Sequence, residues 1–408
     1  MSFLYEIFGR AKVHDLLEQY GSPLYVYDEA TLRQRCREMK NLITWPRFRV
    51  NYSVKANTNP ELLKIVLDEG LDVDALSIGE MYLEEHSGFK SDQIMFIGNN
   101  VSQSEFQYAA ERGIYISVDS LSQLESLGPV NRGGEVCLRI NPGLGAGHHE
   151  KVITGGKKAK FGIAPEDLKT ANEIAARYNI RITGLNQHIG SLFLHSEEYL
   201  QAMELLLGLA ADMSDIHTVD FGGGFGIPYR HGVESRLDLQ ELGAAMDRLI
   251  QDWVRLHRPI TIRIEPGRYI AAECGILLGE VTAVKNNYGN VFVGCDIGFN
   301  TLIRPAMYDS YHEIDIAPRH PRPYAEYEQP AWLVGPICES GDILSHDRPL
   351  PCCQVGDAVV IHDAGAYGYT MASSYNSRPL PAEVLIPLEG TPRLIRRRQQ
   401  LDELWRLD

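Results

Sequence analysis

The amino-acid sequence predicts an α/β fold: a (β/α)8 TIM barrel followed by a mostly-β domain of Greek-key or β-sandwich-like type. Between residues 48 and 265, eight short runs rich in β-branched residues alternate with segments whose apolar residues recur at helical spacing. Eight such units favour a closed barrel over a doubly wound open sheet, which is the alternative. After residue 270, strand-like runs separated by Pro, Gly and Asn turns predominate.

The predicted barrel strands are short apolar runs, each followed by a turn or loop. In chain order they are Phe48–Val54, Asp72–Leu76, Ile94–Ile97, Ile114–Val118, Val136–Ile140, Ile182–His188, His217–Phe221 and Ile260–Ile264. The strand-like runs of the second region are GILLGEVTAVK, NVFVGCDIG, PAWLVGP, DAVVIHDAG and AEVLIPL. We therefore predict a barrel domain over residues 30–270 and a β domain over residues 271–408, which residues 1–29 complete.

The composition of the chain indicates which kinds of partner and which cellular compartment to expect. The chain has 408 residues, with 39 Lys plus Arg against 54 Asp plus Glu, and its net charge of −15 argues against nucleic acid as a partner. Its seven cysteines, an odd number without zinc-ligand spacing, are typical of reduced thiols, and we expect no metal site. No apolar run has the length of a membrane span or a signal peptide. We therefore expect a cytoplasmic protein that does not bind membranes.

Polar residues and glycines follow the predicted barrel strands, at the C-terminal ends where such barrels carry their active sites. They are Lys55 after the first strand, Ser77 and Glu80 after the second, Asn99 after the third, Arg139 and Asn141 after the fifth, His188, Gly190 and Ser191 after the sixth, Gly222–Gly224 after the seventh, and Glu265 and Arg268 after the eighth. This placement predicts an active site at one mouth of the barrel.

Three of these features together indicate pyridoxal 5'-phosphate as the cofactor. Lys55 could be a solvated loop charge, but at a barrel mouth its amine can bind the carbonyl carbon of a cofactor. Gly222–Gly224 could form only a tight turn, but glycines also allow backbone N–H groups to cradle a phosphate. Glu265 would keep a pyridine nitrogen protonated. His188 would lie against the ring, although a buried histidine is more often structural.

Ten stretches of the chain carry a family resemblance. They are GSPLYVYD, YSVKAN, LRINPG, GHHEKVITGGKKAKFGI, HIGS, DFGGGFGIPY, EPGRYI, DIGFNTLIRPAMYDSYH, GPICESGD and GAYGYTMASSYNSRPLPAEVL, and they run from residue 21 to the C-terminal region. In them the chain resembles the ornithine/diaminopimelate decarboxylase family, pyridoxal-phosphate-dependent enzymes of the alanine-racemase-like barrel class. YxxKAN, here within YSVKAN, and EPGR are shared with related decarboxylases. RPAMY, CESGD and GAYG followed by SxYNSRP resemble the members that act on diaminopimelate.

The resemblance implies a role for each matching residue. For the cofactor it implies covalent attachment to Lys55, stacking by His188, phosphate binding by Ser191, Gly222, Gly223, Gly224 and the backbone of Pro266, Gly267 and Arg268, pairing of Glu265 with the pyridine nitrogen, and contact with Tyr367. For the substrate it implies binding of the distal carboxylate by Arg268, Arg304 and Tyr308, contacts near the distal stereocentre by Arg139, Glu339 and Ser340, contact with Tyr367, and proton donation by Cys338 after carbon dioxide leaves. It also implies a homodimer in which Cys338 and Glu339 complete the active site of the other subunit.

The residue types also constrain the substrate. Arg268 and Arg304 suit a remote carboxylate because a guanidinium binds it bidentately, whereas the amine of lysine or ornithine would face an acid. With Glu339 available for an ammonium group, we expect decarboxylation of meso-2,6-diaminopimelate to L-lysine and carbon dioxide, the last step of lysine biosynthesis. The alternatives are a same-fold decarboxylase of carboxynorspermidine or of a carrier-linked glutamate, a racemase, and a non-enzymatic pyridoxal-phosphate-binding regulator.

Overall fold

The computed structural model describes residues 12–143, 146–147, 156, 159–320 and 330–405. The chain divides into two compact units. The barrel unit comprises Arg33–Ile227 and Ser235–Ile270, and the β unit comprises Met1–Leu32, Pro228–Glu234 and Ala271–Asp408. Residues 1–11, which belong to the predicted N-terminal part of the β domain, lie outside the described residues.

The described residues form the following elements. The strands are β1 (Leu24–Asp28), β2 (Phe48–Ser53), β3 (Asp72–Ala75), β4 (Ile94–Phe96), β5 (Tyr115–Val118), β6 (Glu135–Arg139), β7 (Ala146–Gly147), β8 (Arg181–Asn186), β9 (Gly190–Ser191), β10 (Thr218–Asp220), β11 (Thr261–Ile264), β12 (Gly275–Asn287), β13 (Asn290–Cys295), β14 (Ile314–Ala317), β15 (Ala331–Val334), β16 (Ile343–Arg348), β17 (Ala358–Ile361), β18 (Ala382–Ile386) and β19 (Arg393–Arg396). The α-helices are α1 (Val13–Tyr20), α2 (Glu29–Lys40), α3 (Pro60–Asp68), α4 (Ile78–Ser87), α5 (Gln103–Glu111), α6 (Leu121–Leu127), α7 (Leu168–Arg177), α8 (Glu197–Ala211), α9 (Leu239–Leu256), α10 (Arg268–Ala271) and α11 (Arg304–Tyr308). Within the described part of the chain, none of these helices combines the length and apolar character that a membrane crossing needs.

The barrel unit is built on a closed ring of parallel strands in the order β10-β11-β2-β3-β4-β5-β6-β8. All eight are predicted strands, and their ends lie within two residues of the predicted ones, so the (β/α)8 prediction is confirmed. The ring closes between its last and first strands, where Ile264 of β11 pairs with Val50 of β2. The C-terminal ends of the strands therefore meet at one mouth.

Side-chain caps determine where helices of the barrel unit begin. The Asn59 side chain accepts a hydrogen bond from the N–H of Glu61 at 3.0 Å, in the first turn of α3. At α4, the Ser77 hydroxyl accepts from the Glu80 N–H at 3.2 Å, and the Glu80 carboxylate accepts from the Leu76 N–H at 2.7 Å. Ser77 and Glu80, two of the polar residues after the second barrel strand, therefore cap a helix.

The β unit is built on a nine-stranded sheet with the order β16-β15-β13-β12-β1-β18-β19, in which β17 pairs with β12 and with β14. The N-terminal strand β1 lies between β12 and β18. The core of the β unit includes the fully or nearly fully buried side chains of Leu24, Val26, Ile276, Leu278, Val360 and Val384. Burying each such side chain contributes about 1.5–3 kcal/mol. The predicted mostly-β second region is confirmed.

Candidate active site

Lys55 lies at the C-terminal end of β2, in the short 3-10 turn Val54–Ala56, and is half-buried. The preceding residue, Ser53, connects three strand ends of the barrel. Its hydroxyl donates to Asp74 Oδ2 at 2.7 Å and lies 3.1 Å from the carbonyl oxygen of Glu265. Its N–H donates to the carbonyl oxygen of Pro266 at 3.3 Å. These bonds place Lys55 beside the ends of the second and last strands of the barrel.

Three buried carboxyl groups, of Asp74, Asp220 and Glu265, lie in this mouth. Burial raises the pKa of Asp74 to about 7, although the charge of Lys55 opposes the rise. Burial also raises the pKa of Asp220, although the N–H of Gly222 opposes the rise. For Glu265, burial raises the pKa well above its ordinary value, and the charges of Asp220 and Asp74 add to the effect. The barrel interior therefore favours a cationic or N–H-bearing group next to Glu265.

Glu265 is held by an amide from a neighbouring strand. Asn186, the last residue of β8, donates from Nδ2 to Glu265 Oε1 at 3.0 Å. Asn186 is itself fully buried. The carboxyl group thus has a fixed position inside the barrel, at the point where β8 and β11 end.

His188 follows β8 and is half-buried at the same mouth. The N–H of Gly223 donates to His188 Nδ1 at 3.1 Å, so Nδ1 carries no proton and the ring proton lies on Nε2. Burial, followed by the charges of Lys55 and Arg139, lowers the pKa of His188 well below its ordinary value. The site therefore contains a flat, neutral imidazole with a fixed tautomer.

The triglycine loop after β10 needs glycine because other backbone atoms come very close. A Cβ at Gly222 would lie 2.1 Å from the Gln187 carbonyl oxygen, and one at Gly223 would lie 2.0 Å from that of Glu265. The Gly222 N–H donates to Asp220 Oδ1 at 2.8 Å, as the Gly223 N–H does to His188. The first two N–H groups of the loop thus act within the protein, where they orient two residues of the mouth.

Arg268 and Ser191 meet at this mouth, as the resemblance implies. Arg268 is buried and donates from Nη2 to the Ser191 hydroxyl at 3.1 Å. Pro266 and Gly267, which precede Arg268, are buried as well. Arg268 thus provides a buried guanidinium and Ser191 provides a hydroxyl. Both groups lie near Glu265, which is next to the triglycine loop.

Arg139 ends β6 and is buried. Its Nη1 donates to Asn99 Oδ1 at 3.4 Å, and the amide of Asn99 in turn donates to Asp119. The guanidinium carbon lies 4.6 Å from the centre of the Phe161 ring. Burial lowers the pKa of Arg139, and the charges of Glu265 and Asp119 oppose this change. Asn99, which the sequence places after the third strand without assigning it a role, therefore connects Arg139 to Asp119.

In the β unit, Arg304 and Tyr308 are the first and last residues of α11. Arg304 is almost completely buried, and it donates from Nη1 to the Tyr229 hydroxyl at 2.9 Å. Tyr308 is half-buried. Tyr367 follows β17, is also half-buried, and adopts the left-handed conformation with φ of 58°.

The loop between β15 and β16 exposes Cys338, Glu339 and Ser340 at the surface of the β unit. The Cys338 N–H donates to Asn376 Oδ1 at 2.9 Å. The Tyr375 hydroxyl donates to Glu339 Oε1 at 2.6 Å, which raises the pKa of that tyrosine. The loop is therefore anchored at its backbone and at Glu339, and it presents a free thiol to the outside.

The structure places the candidate residues in its two compact units. The barrel group is Lys55, Arg139, His188, Ser191, Gly222, Gly223, Gly224, Glu265, Pro266, Gly267 and Arg268, and the β-unit group is Arg304, Tyr308, Cys338, Glu339, Ser340 and Tyr367. Sequence reasoning missed Asp74, Asp119, Asp220, Tyr229 and His312, which contact or influence these groups. Asp74 and Asp220 could have been found, because both are acids inside or at the end of apolar barrel strands.

Comparisons with known proteins agree on one family. Residues 29–272 match the family described as pyridoxal-dependent decarboxylase, pyridoxal binding domain. The chain is 40% identical to a diaminopimelate decarboxylase of Methanothermobacter thermautotrophicus, across 98% of this chain and 94% of the relative. It is 35% identical to the diaminopimelate decarboxylase of Escherichia coli K12, across 96% and 94%. The crystal structure of the Helicobacter pylori diaminopimelate decarboxylase with L-lysine is similar to it with a TM-score of 0.89, 31% identity and coverage of 97% and 99%.

Proposed function

The chain belongs to the pyridoxal-dependent decarboxylases, and on that basis we propose that it removes one carboxyl group from meso-2,6-diaminopimelate to yield L-lysine and carbon dioxide. The observation that carries this proposal is the barrel mouth. There, Lys55 lies close enough to His188 and Glu265 for its charge to influence the pKa of both. Relatives named diaminopimelate decarboxylase support the choice of substrate.

The barrel residues fit pyridoxal 5'-phosphate. When bound, this cofactor supplies an electron-accepting ring that stabilises the charge left on the substrate as carbon dioxide leaves. Glu265, whose pKa is raised by burial and by the charges of Asp220 and Asp74, would accept a hydrogen bond from a pyridinium nitrogen. The neutral His188 ring would exclude water from one face of the cofactor ring. Lys55 would provide the amine for covalent attachment, and Ser191, Arg268 and the backbone from Gly224 onwards would bind the phosphate.

The β-unit residues would bind the distal end of the substrate and complete the reaction. Arg304 would bind the distal carboxylate, together with Tyr308, because a buried guanidinium binds a carboxylate strongly. Glu339 would bind the distal ammonium group. The Cys338 thiol would donate its Sγ proton to the carbon that has lost its carboxyl group. Arg139, Ser340 and Tyr367 would contact the substrate or cofactor around these groups.

We further propose that the enzyme acts as a homodimer in the cytoplasm. The exposure of Cys338 and Glu339 supports a dimer in which each subunit completes the other's active site. Seven cysteines without disulfide partners support a reducing compartment. On this proposal the domains keep the predicted limits, 30–270 for the cofactor-binding barrel and 271–408 with 1–29 for the substrate-binding β domain.

Product analysis tests the proposed function. The purified enzyme with pyridoxal 5'-phosphate is incubated with meso-diaminopimelate, L-lysine, L-ornithine and carboxynorspermidine, and amines and carbon dioxide are measured. We expect meso-diaminopimelate to be turned over at least about 10⁴-fold more efficiently than L-lysine or L-ornithine. A site built to pair a polar group rejects analogues that lack it, because its own buried groups are left unpaired. Comparable turnover of L-lysine, or preferred turnover of carboxynorspermidine, would overturn the proposal.

A further inference from the structure

Three uncharged acceptors in the β unit hold the guanidinium of Arg304, and one of them is the Ser310 hydroxyl, 3.4 Å from Nη2. Arg304 Nη1 donates to the Tyr229 hydroxyl at 2.9 Å and to His312 Nε2 at 2.9 Å. The guanidinium carbon also lies 4.8 Å from the centre of the Tyr229 ring. Because Nη1 carries two hydrogens, these two bonds use both of them and fix the plane of the guanidinium.

The contacts of His312 determine which of its ring nitrogens carries the proton. An arginine N–H can only donate, so His312 Nε2 accepts. His312 Nδ1 lies 2.8 Å from the carbonyl oxygen of His362, which can only accept, so Nδ1 carries the proton. The ring is therefore neutral, with both nitrogens engaged. Adding a proton to Nε2 would place two donors and two positive charges against each other.

The sheet of the β unit holds His312 in place. His312 lies two residues before β14, and His362 follows β17, the strand that pairs with β14 in antiparallel register. The N–H of His362 donates to the carbonyl oxygen of Glu313 at 2.9 Å, which continues that pairing. Arg348 donates to the carbonyl oxygen of His312 at 3.1 Å. His312 is 2% exposed, and its ring packs edge-on against the ring of Tyr229, with 5.3 Å between the two ring centres.

We propose that His312 and Tyr229 are positioning residues, which hold Arg304 in the orientation in which it binds the distal carboxylate of the substrate. This inference rests on the proposed function, in which Arg304 binds that carboxylate. A guanidinium already held by these hydrogen bonds loses little conformational freedom when the carboxylate binds. His312 and Tyr229 therefore contribute to selectivity for substrates with a carboxylate at that end.

A pair of substitutions at one position separates positioning of Arg304 from packing. His312→Asn keeps a donor as many bonds from Cβ as Nδ1, so it can still donate to His362, but it loses the acceptor for Arg304. His312→Gln keeps an oxygen as many bonds from Cβ as Nε2, so it can still accept from Arg304, but it loses the donor. Tyr229→Phe removes only the hydroxyl and keeps the ring beside the guanidinium.

The measurement is the inhibition constant Ki of two ligands against meso-diaminopimelate turnover by the holoenzyme. L-Lysine has the same amino-acid group as the distal end of the substrate, whereas cadaverine lacks its carboxylate. We expect His312→Asn and Tyr229→Phe each to raise the Ki of L-lysine about tenfold, because each weakens hydrogen bonding to a charged group. The Ki of cadaverine should stay within about twofold, and His312→Gln should keep most of the preference for L-lysine. A purely structural role would weaken both ligands alike.

Arg304→Met is the reference that separates the inference from the function on which it rests. If Arg304→Met removes the preference for L-lysine while Tyr229→Phe and His312→Asn leave it intact, the positioning role is wrong and the role of Arg304 stands. If Arg304→Met itself leaves the preference intact, Arg304 does not bind the carboxylate, and the positioning role is wrong with it. If His312→Asn does not fold, Tyr229→Phe decides alone, because it removes a single oxygen atom.

Discussion

Replacing Glu265 by glutamine would separate the chemical role of this carboxyl group from its effect on stability. In the proposed function, Glu265 accepts a hydrogen bond from the pyridine nitrogen of the cofactor. Glutamine has nearly the same shape and keeps an oxygen for Asn186, whose Nδ2 lies 3.0 Å from Glu265 Oε1. The substitution therefore removes a charge and changes the packing very little.

The expected loss of activity follows from the charge that is removed. Two unit charges about 4 Å apart interact by about 4 kcal/mol at an effective dielectric constant near 20. Because about 1.4 kcal/mol corresponds to a factor of ten in rate, kcat for meso-diaminopimelate should fall about 10³-fold. Carbon dioxide release at saturating substrate measures kcat, and borohydride reduction followed by peptide mapping measures cofactor bound at Lys55. A fall of less than about tenfold with full cofactor occupancy would refute the pairing with the pyridine nitrogen.

The same substitution should make the cofactor-free protein more stable at pH 8. Burial, followed by the charges of Asp220 and Asp74, raises the pKa of Glu265, so the folded state holds this proton more tightly than the unfolded state. The folded state therefore loses stability relative to the unfolded state as the pH rises above the ordinary carboxyl pKa, and this effect disappears towards pH 4. Asp220→Asn is the matched control. It should also raise Tm, but it should lower kcat much less than Glu265→Gln does. A lower Tm of Glu265→Gln at pH 8 would contradict the account of crowded carboxyl groups.

Three further predictions concern Lys55, Cys338 and Asp74. Lys55→Ala should lose the borohydride-reducible adduct and nearly all turnover, and an adduct mapped to another lysine would contradict the assignment. Mixed Lys55→Ala and Cys338→Ala subunits, each inactive alone, should recover about a quarter of wild-type activity, because half of the randomly paired dimers contain one intact site; no recovery after verified subunit exchange would exclude the shared site. The cofactor-free wild type should lose stability as pH rises from about 4 to 7, because burial raises the pKa of Asp74 to about 7 and the folded state holds more protons in that range. Asp74→Asn should flatten this slope of Tm against pH, and an unchanged slope would argue against the shifted pKa.

The barrel was predictable because short runs rich in β-branched residues alternate with segments of helical spacing. These runs are buried on both faces, and all four residues of β3, for example, are buried. The residues at the ends of these runs could be assigned to one mouth, since parallel strands in a barrel end on the same side. Lys55, His188 and Glu265 were assigned in this way, and the charge of Lys55 influences the pKa of both His188 and Glu265.

The parts of the fold and of the candidate site that the sequence did not predict depend on contacts between residues far apart in the chain. Strand β14 is a four-residue segment in which buried and half-buried positions alternate, and β16 ends in polar residues, so neither resembles an apolar run. The role of Gly223 could not be read from a glycine run, because its N–H is committed to His188, 35 residues earlier. The contact between Arg304 and Tyr229 joins residues 75 positions apart, and no local pattern indicates it.

The ring of barrel strands closes at Ser53, whose hydroxyl lies against the carbonyl oxygen of Glu265, 212 residues later in the chain. During synthesis on the ribosome, Lys55 therefore emerges long before the residues that surround it in the finished protein. Contacts over such a distance form late, because a long loop must close before they contribute any stability. A nascent chain that ends before β11 contains Lys55 but lacks Glu265 and Arg268. On the proposed function, cofactor attachment at Lys55 therefore depends on completion of the ring, and a chain truncated within the barrel should not bind the cofactor.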